Sequence, residues 1–254
     1  QNDTTWLECT SQDFPYGYLG DFTDDRLVLA MTENGGKILR TVSYPYDQSI
    51  QHRKGSFKLN TDGKISGVIT TEFSGFQFEN HFPNVKKIKD EQIKSLARLY
   101  DINRIQFKDI KYTINSNDKL SLTEDLNIEA ENFAIKNNDN VTVFPNFLNR
   151  SASIPDIRNR INVVRISRGY TDIDETEIEL PENLSNNIIP INKKLEVPMG
   201  TYEFRVEIKD GKMICYRKLQ LREGEYPVSS YADFSKFMLD VSITDGTKYN
   251  LALK

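Results

Sequence analysis

Cysteine and histidine are almost missing from this chain, with two of each in 254 residues: Cys9, Cys215, His52 and His81. A zinc site draws three or four Cys, His or carboxylate ligands from short spacings such as C-x2-C, and no such spacing occurs. Two cysteines far apart in sequence make no disulfide framework, so they read as unrelated small apolar residues and leave the compartment open. Long apolar runs are also absent, with nothing near the ~20 residues of a membrane helix. Neither sign of charge is in excess: 33 Lys and Arg face 37 Asp and Glu, the net charge is −4 and the pI is near 5.4. That balance argues against duplex nucleic acid or an anionic membrane as the main partner. The chain opens on Gln1 with no apolar leader, so any targeting segment is expected to have been removed or to lie outside it. What is present, 38% hydrophobic and 28% charged residues, reads as a globular protein long enough to need no disulfide, metal or cofactor for its core.

The dominant period is two. Tyr202 to Lys209 alternates apolar and charged residues, Asp210-Gly211 supplies a turn, and Lys212 to Arg222 runs back as a second strand. In that return strand the apolar phase shifts from Ile214 and Tyr216 to Leu219 and Leu221, which predicts a bulge near Arg217. Ser56–Leu59, Asp62-Gly63 and Lys64–Phe73 repeat the construction, and Glu33-Asn34-Gly35-Gly36 marks a hairpin between Leu27–Met31 and Lys37–Val42. Further strands are signalled by Ile110, Tyr112 and Ile114, by Leu120, Leu122, Leu126 and Ile128, by Ile178 and Leu180, and by Tyr249, Leu251 and Leu253. Two helices are predicted, Asp90 to Tyr100 and Ser230 to Val241, from apolar residues three and four apart. The expected fold is all-β, an antiparallel sandwich type with two short helices. Residues 1–46 read as an arm and 47–254 as the main β unit, with a softer seam near 151–160.

Candidate chemistry is thin. Asn60-Thr61-Asp62-Gly63 looks like a calcium loop, but Lys58 and Ile69 occupy the positions where an EF-hand needs carboxylates, so it reads as a hairpin turn. Asp172, Asp174 and Glu175 read as a solvated acidic loop rather than a cation site. Cys9, His52 and Asp62 supply the residue types of a Cys–His–Asp triad, although Cys9 follows a strand-like segment with nothing to lower its pKa. Phe14, Tyr16, Tyr18 and Phe22 crowd a Gly- and Pro-rich segment. They read as anchors for the arm, and alternatively Tyr16 and Tyr18 could stack on sugar rings.

Thr5-Trp6-Leu7-Glu8-Cys9-Thr10 resembles the W-L-D-P-T segment that ends the catalytic core of transglutaminase-like proteins. Asp25–Leu29, Gly36–Thr41, Ile178–Pro181, Gly200–Tyr202, Glu225–Pro227 and Tyr231–Phe237 resemble the exit from that core and the C-terminal β domain of bacterial cell-envelope members. The resemblance implies that Glu8 stands at the position of the triad carboxylate, where the family has Asp, and Cys9 where it commonly has Pro. It implies that the nucleophilic Cys and its His lie upstream, which leaves this chain a non-catalytic interaction or scaffolding region. Its partner would then be a transglutaminase-like core in the same polypeptide, with a protein or glycan ligand, in a periplasmic or other cell-envelope location.

Overall fold

The computed structural model describes residues 4–254 apart from positions 12, 101, 117, 118, 138 and 186. Asp210 and Gly211, both at positive φ, turn the chain between β12 (Gly200–Lys209) and β13 (Lys212–Leu221), as the alternation of their apolar residues requires. The strands before them are β1 (Leu27–Thr32), β2 (Gly35–Arg40), β3 (Ile50–Leu59), β4 (Ile65–Ser74), β5 (Ile105–Asn115) and β6 (Ser121–Ala130). Short strands β7 (Ile135–Asn137), β8 (Asn140–Val143) and β9 (Val164–Ile166) lead to β10 (Tyr170–Glu179) and β11 (Ile191–Val197). After β13 come β14 (Gly224–Tyr226) and β15 (Tyr249–Ala252). The helices are α1 (Phe76–His81), α2 (Lys89–Leu99) and α3 (Tyr231–Asp245).

Eight strands form one sheet in the order β11-β12-β13-β10-β3-β4-β6-β5. Every pairing is antiparallel except β3 with β10, which run parallel in the centre. One face carries the alternate apolar residues, among them Phe57, Leu59, Ile69, Leu126, Ile178, Phe204, Met213 and Leu219, all buried in one cluster. Each such side chain contributes about 1.5–3 kcal/mol by leaving water. The all-β class holds, but the second layer is a patchwork. Tyr231, Phe234, Phe237, Met238 and Val241 of α3, Leu96 of α2, and Val141, Val143 and Leu251 of the small β15-β8-β7 sheet all join the same cluster. The opposite face is open, laced by exposed pairs such as Lys58–Glu179 (3.1 Å), Lys212–Glu177 (3.0 Å) and Lys194–Glu203 (3.3 Å). Pairs of this kind hold a face in solution and add little stability.

Three expectations need correction. β13 has no bulge: its register against β10 and β12 is unbroken, and the covered set is Met213, Cys215, Arg217, Leu219 and Leu221. An arginine sits in the apolar phase, and it made the phase look shifted. Asp172, Asp174 and Glu175 are not a loop but lie within β10, with Asp174 buried. A third helix, α1, escaped notice because it is only six residues long. It starts at Gly75, whose φ of +55 and close approach to the Gln48 carbonyl exclude a side chain.

Candidate functional site

The most polar place in the interior lies on the covered face of the sheet. Arg217 (β13) and Arg53 (β3) are fully buried, joined by Asp174 (β10) at 3.1 Å and 3.2 Å. Asp245, at the end of α3, receives the Arg217 guanidinium twice (2.8 and 3.0 Å), the Tyr202 hydroxyl (2.7 Å), the Asn146 amide (3.1 Å) and the Ser151 backbone N–H (2.9 Å). Arg53 also donates to the Leu148 carbonyl (3.1 Å), and buried Glu124 receives the Tyr112 and Tyr100 hydroxyls at 2.8 and 3.3 Å. The Asn149 amide bridges Asp174 (3.0 Å) and Asp172 (3.2 Å), and Gln77 of α1 donates to Asp172 (2.9 Å).

Burial alone would lower the pKa of Arg217, but Asp245 and Asp174 outweigh it and hold the guanidinium above its ordinary value. Burial pushes the Asp172 carboxyl up to about 6, with the like charge of Asp174 adding to it and Arg217 opposing. Among the described residues no buried side-chain polar atom lacks a partner. The cluster therefore ties the 144–151 connection and the end of α3 to the sheet, with every donor spoken for. Cys215 lies beside it, and burial pushes its thiol well above the ordinary range, which makes it a poor nucleophile. Sequence reasoning missed the whole cluster. The available signal was a charged residue in phase with buried apolar neighbours: Arg53 with Phe57, Glu124 with Leu122 and Leu126, Arg217 with Cys215 and Leu219.

The residues nominated from sequence do not converge. Cys9 is exposed, with its thiol 3.8 Å from the Leu7 carbonyl. His52 pairs with Glu175 at 2.6 Å, while Asp62 lies beyond the far end of β3 and caps its turn through the Lys64 N–H. At about 3.3 Å per residue, His52 and Asp62 are more than about 20 Å apart, so they cannot share a triad with Cys9. His81 stacks on Phe73, and its burial, with the Arg53 charge, drives its pKa down to about 3. The Glu8 carboxylate accepts hydrogen bonds from the Thr10 N–H and hydroxyl, the Gly20 N–H and the Thr23 hydroxyl. Desolvation raises its pKa, and these bonds outweigh that and hold it at about 2. Glu8 thus fastens the arm to itself. Among the described residues no group of three or more His, Cys, Asp or Glu could hold a metal, and no helix is long and apolar enough to cross a membrane.

The arm is divided. Tyr18 is buried, flanked by Tyr44 (5.3 Å between centroids), Phe78 (5.1 Å) and Phe14 (5.2 Å), and its hydroxyl reaches the Gly75 carbonyl (3.2 Å). It offers no ring face to a sugar. Tyr16 is 82% exposed and borders a groove of about 630 Å³ with Pro15, Val42, Tyr44, Lys119 and Leu120. Buried Asp24 pairs with Arg168, and Asp13 pairs with Lys86, clamping the arm to the body. From this anchored root the β1–β2 hairpin projects. Leu29 is opposite Ile38, and Leu27, Leu29, Met31 and Ile38 share one face, all exposed. Among the described residues β1 and β2 pair only with each other.

Residues 139–251 match the profile of DUF3858, a domain of unknown function with a solved structure. The matched stretch runs from β8 to β15 and supplies Asp174, Arg217 and Asp245, whereas Arg53 and Glu124 precede it. The chain is also similar to a solved structure from Parabacteroides distasonis described as a "putative protease", at 7% identity and a TM-score of 0.30, covering 82% of this chain and 100% of that one. No curated protein matches it.

Proposed function

We propose that this chain is a non-catalytic interaction and scaffolding region of a transglutaminase-like cell-envelope protein, with the arm as the part that meets its partner. The observation that carries the reading is the contrast in satisfaction: among the described residues the interior polar side chains are paired, while Leu27, Leu29, Met31 and Ile38 remain exposed on one face of the β1–β2 hairpin. Exposed apolar clusters of this kind mark interaction surfaces. The saturated bonding of Glu8 supports a structural role for that residue, and the separation of Cys9, His52 and Asp62 argues against a self-sufficient cysteine hydrolase. A transglutaminase-like core in the same polypeptide is the partner we assign. An extracytoplasmic location follows from the same family reading.

Amide hydrogen exchange tests it. Joined to a transglutaminase-like core, residues 26–41 should gain protection relative to the chain alone; unchanged exchange there contradicts the reading, as does turnover of amide substrates accompanied by rapid alkylation of Cys9. A second reading, sugar binding, draws on the groove beside Tyr16, whose volume lies within the range of ligand pockets. It requires glycan-array binding that is lost in Tyr16→Ala.

A further inference from the structure

Glu33-Asn34-Gly35-Gly36 closes the β1–β2 hairpin and holds the only asparagine in the chain that glycine follows. A side-chain amide beside glycine is open to attack by the next backbone nitrogen, because glycine brings no Cβ to block the approach and leaves the chain free to turn. Whether the reaction runs depends on how firmly the fold holds the two residues.

Comparable sequences elsewhere in the chain are held. The Gly63 N–H donates to the Asn60 carbonyl (3.1 Å), its carbonyl accepts the Ala134 N–H (3.1 Å), and the Asp62 carboxylate accepts the Lys64 N–H (3.1 Å). The Gly211 carbonyl accepts the Leu180 N–H (3.0 Å). Asp245 is buried against Arg217, and the Gly246 N–H donates to the Ser242 carbonyl (3.1 Å). Asn115, which serine follows, gives its amide to the hydroxyls of Ser121 (3.3 Å) and Thr123 (3.1 Å).

Asn34 has no such restraint. It is exposed, its side chain makes no hydrogen bond among the described residues, and nothing lies within 4 Å of the place where Gly35 would carry a Cβ. Gly35 stands at φ +105, in the left-handed region. The turn is closed by the pairing of Thr32 with Gly35 and by the Thr32 hydroxyl, which donates to the Gly35 carbonyl (2.7 Å). These are the end links of a hairpin whose strands pair only with each other among the described residues. Such an end frays without disturbing the body.

We propose that Asn34 is a site of spontaneous deamidation, a modification of the hairpin tip that needs only water. The Gly35 nitrogen gives up its proton and attacks Asn34 Cγ. The bond from Cγ to the amide nitrogen breaks, ammonia leaves carrying that proton, and a five-membered succinimide remains. Water then adds to one of the two ring carbonyls. Opening at Cγ restores the main chain and leaves aspartate; opening at the main-chain carbonyl leaves isoaspartate, with the chain running through the former side chain. One water enters, one ammonia leaves, and nothing is oxidised or reduced. Either product places a carboxylate beside Glu33, and isoaspartate also adds a methylene to the backbone of a two-residue turn. The Thr32–Gly35 pair is then the first to be lost. This chemistry is independent of the partner assigned to the arm.

The full chain, incubated in mildly alkaline and in mildly acidic buffer, tests it by peptide mapping and enzymatic methylation of isoaspartate. Amide loss should appear first in the peptide carrying residues 33–36, and faster in the alkaline sample, where the attacking nitrogen loses its proton more readily. Its rate should lie within about tenfold of the rate in denaturant, because the end of a lone hairpin opens at little cost. Asn34→Gln, whose longer side chain disfavours ring closure, should lose the isoaspartate signal. Earlier amide loss at another asparagine, a signal that persists in Asn34→Gln, or a native rate more than about tenfold below the denatured one overturns the proposal.

Discussion

Arg217 and Leu29 are both strand residues, and each stands where the other would ordinarily be found. Arg217 is fully buried on the covered face of the large sheet, while Leu29 is mostly exposed on a hairpin that packs on little else. The difference lies in their partners. Arg217 has two carboxylates, a serine hydroxyl and a tyrosine ring within reach, all supplied by this chain. Leu29 faces Ile38 across the hairpin and lies over Gly36, where an added Cβ would come within 2.9 Å of the leucine. A buried charge that is fully paired belongs to the architecture. An exposed apolar strand with no covering element among the described residues adds little to that architecture.

The comparison breaks first at the ion cluster. Arg217→Met should cost about 3–5 kcal/mol, because it strands Asp245 and Asp174 without their cation in a dry site; chemical denaturation measures it, and a loss below about 1 kcal/mol means water enters the cluster. Removing the arm's anchor comes next. Tyr18→Ala deletes a buried ring and three aromatic contacts, and should cost about 3 kcal/mol.

Asp172→Asn goes the other way. The folded carboxyl keeps its proton to about pH 6 and the unfolded one only to 3.8, so the native state binds more protons between these values. Stability contributed by this group is present at low pH and lost as pH rises through 6. The asparagine variant should be more stable than the parent at pH 7.5, by up to about 3 kcal/mol, and should flatten that part of the pH profile. Glu8→Gln removes a carboxylate held at about 2, whose contribution is present above pH 4.5 and fades as pH falls toward 2. At neutral pH it should cost about 1–2 kcal/mol, since the site is only partly buried. The smallest effect belongs to the hairpin: Leu29→Ser should change monomer stability by no more than about 0.5 kcal/mol.

Much of the fold was legible because period-two alternation and Asp-Gly or Gly-Gly turns are local signals. Hairpins β1–β2, β3–β4 and β12–β13 sit where those signals put them. The parallel pairing of β3 with β10 was not legible, because nothing local records which distant strand fills the next place in a sheet. α3 runs four residues past the expected Val241, to Asp245, because its last turn is held by ion pairing rather than by apolar spacing. The ion cluster was hidden because charged side chains are ordinarily exposed: Asp172 and Asp174 read as loop, and Arg217 read as a bulge. In the arm, clustered aromatics announced anchoring, but only packing separates buried Tyr18 from exposed Tyr16.

Amide hydrogen exchange compares the two regions most directly. β3, which carries Arg53, should exchange at the slowest rates in the protein and residues 27–40 of the hairpin orders of magnitude faster. A hairpin as protected as β3 in the chain alone would contradict the account, since its apolar face would then be satisfied within the chain itself.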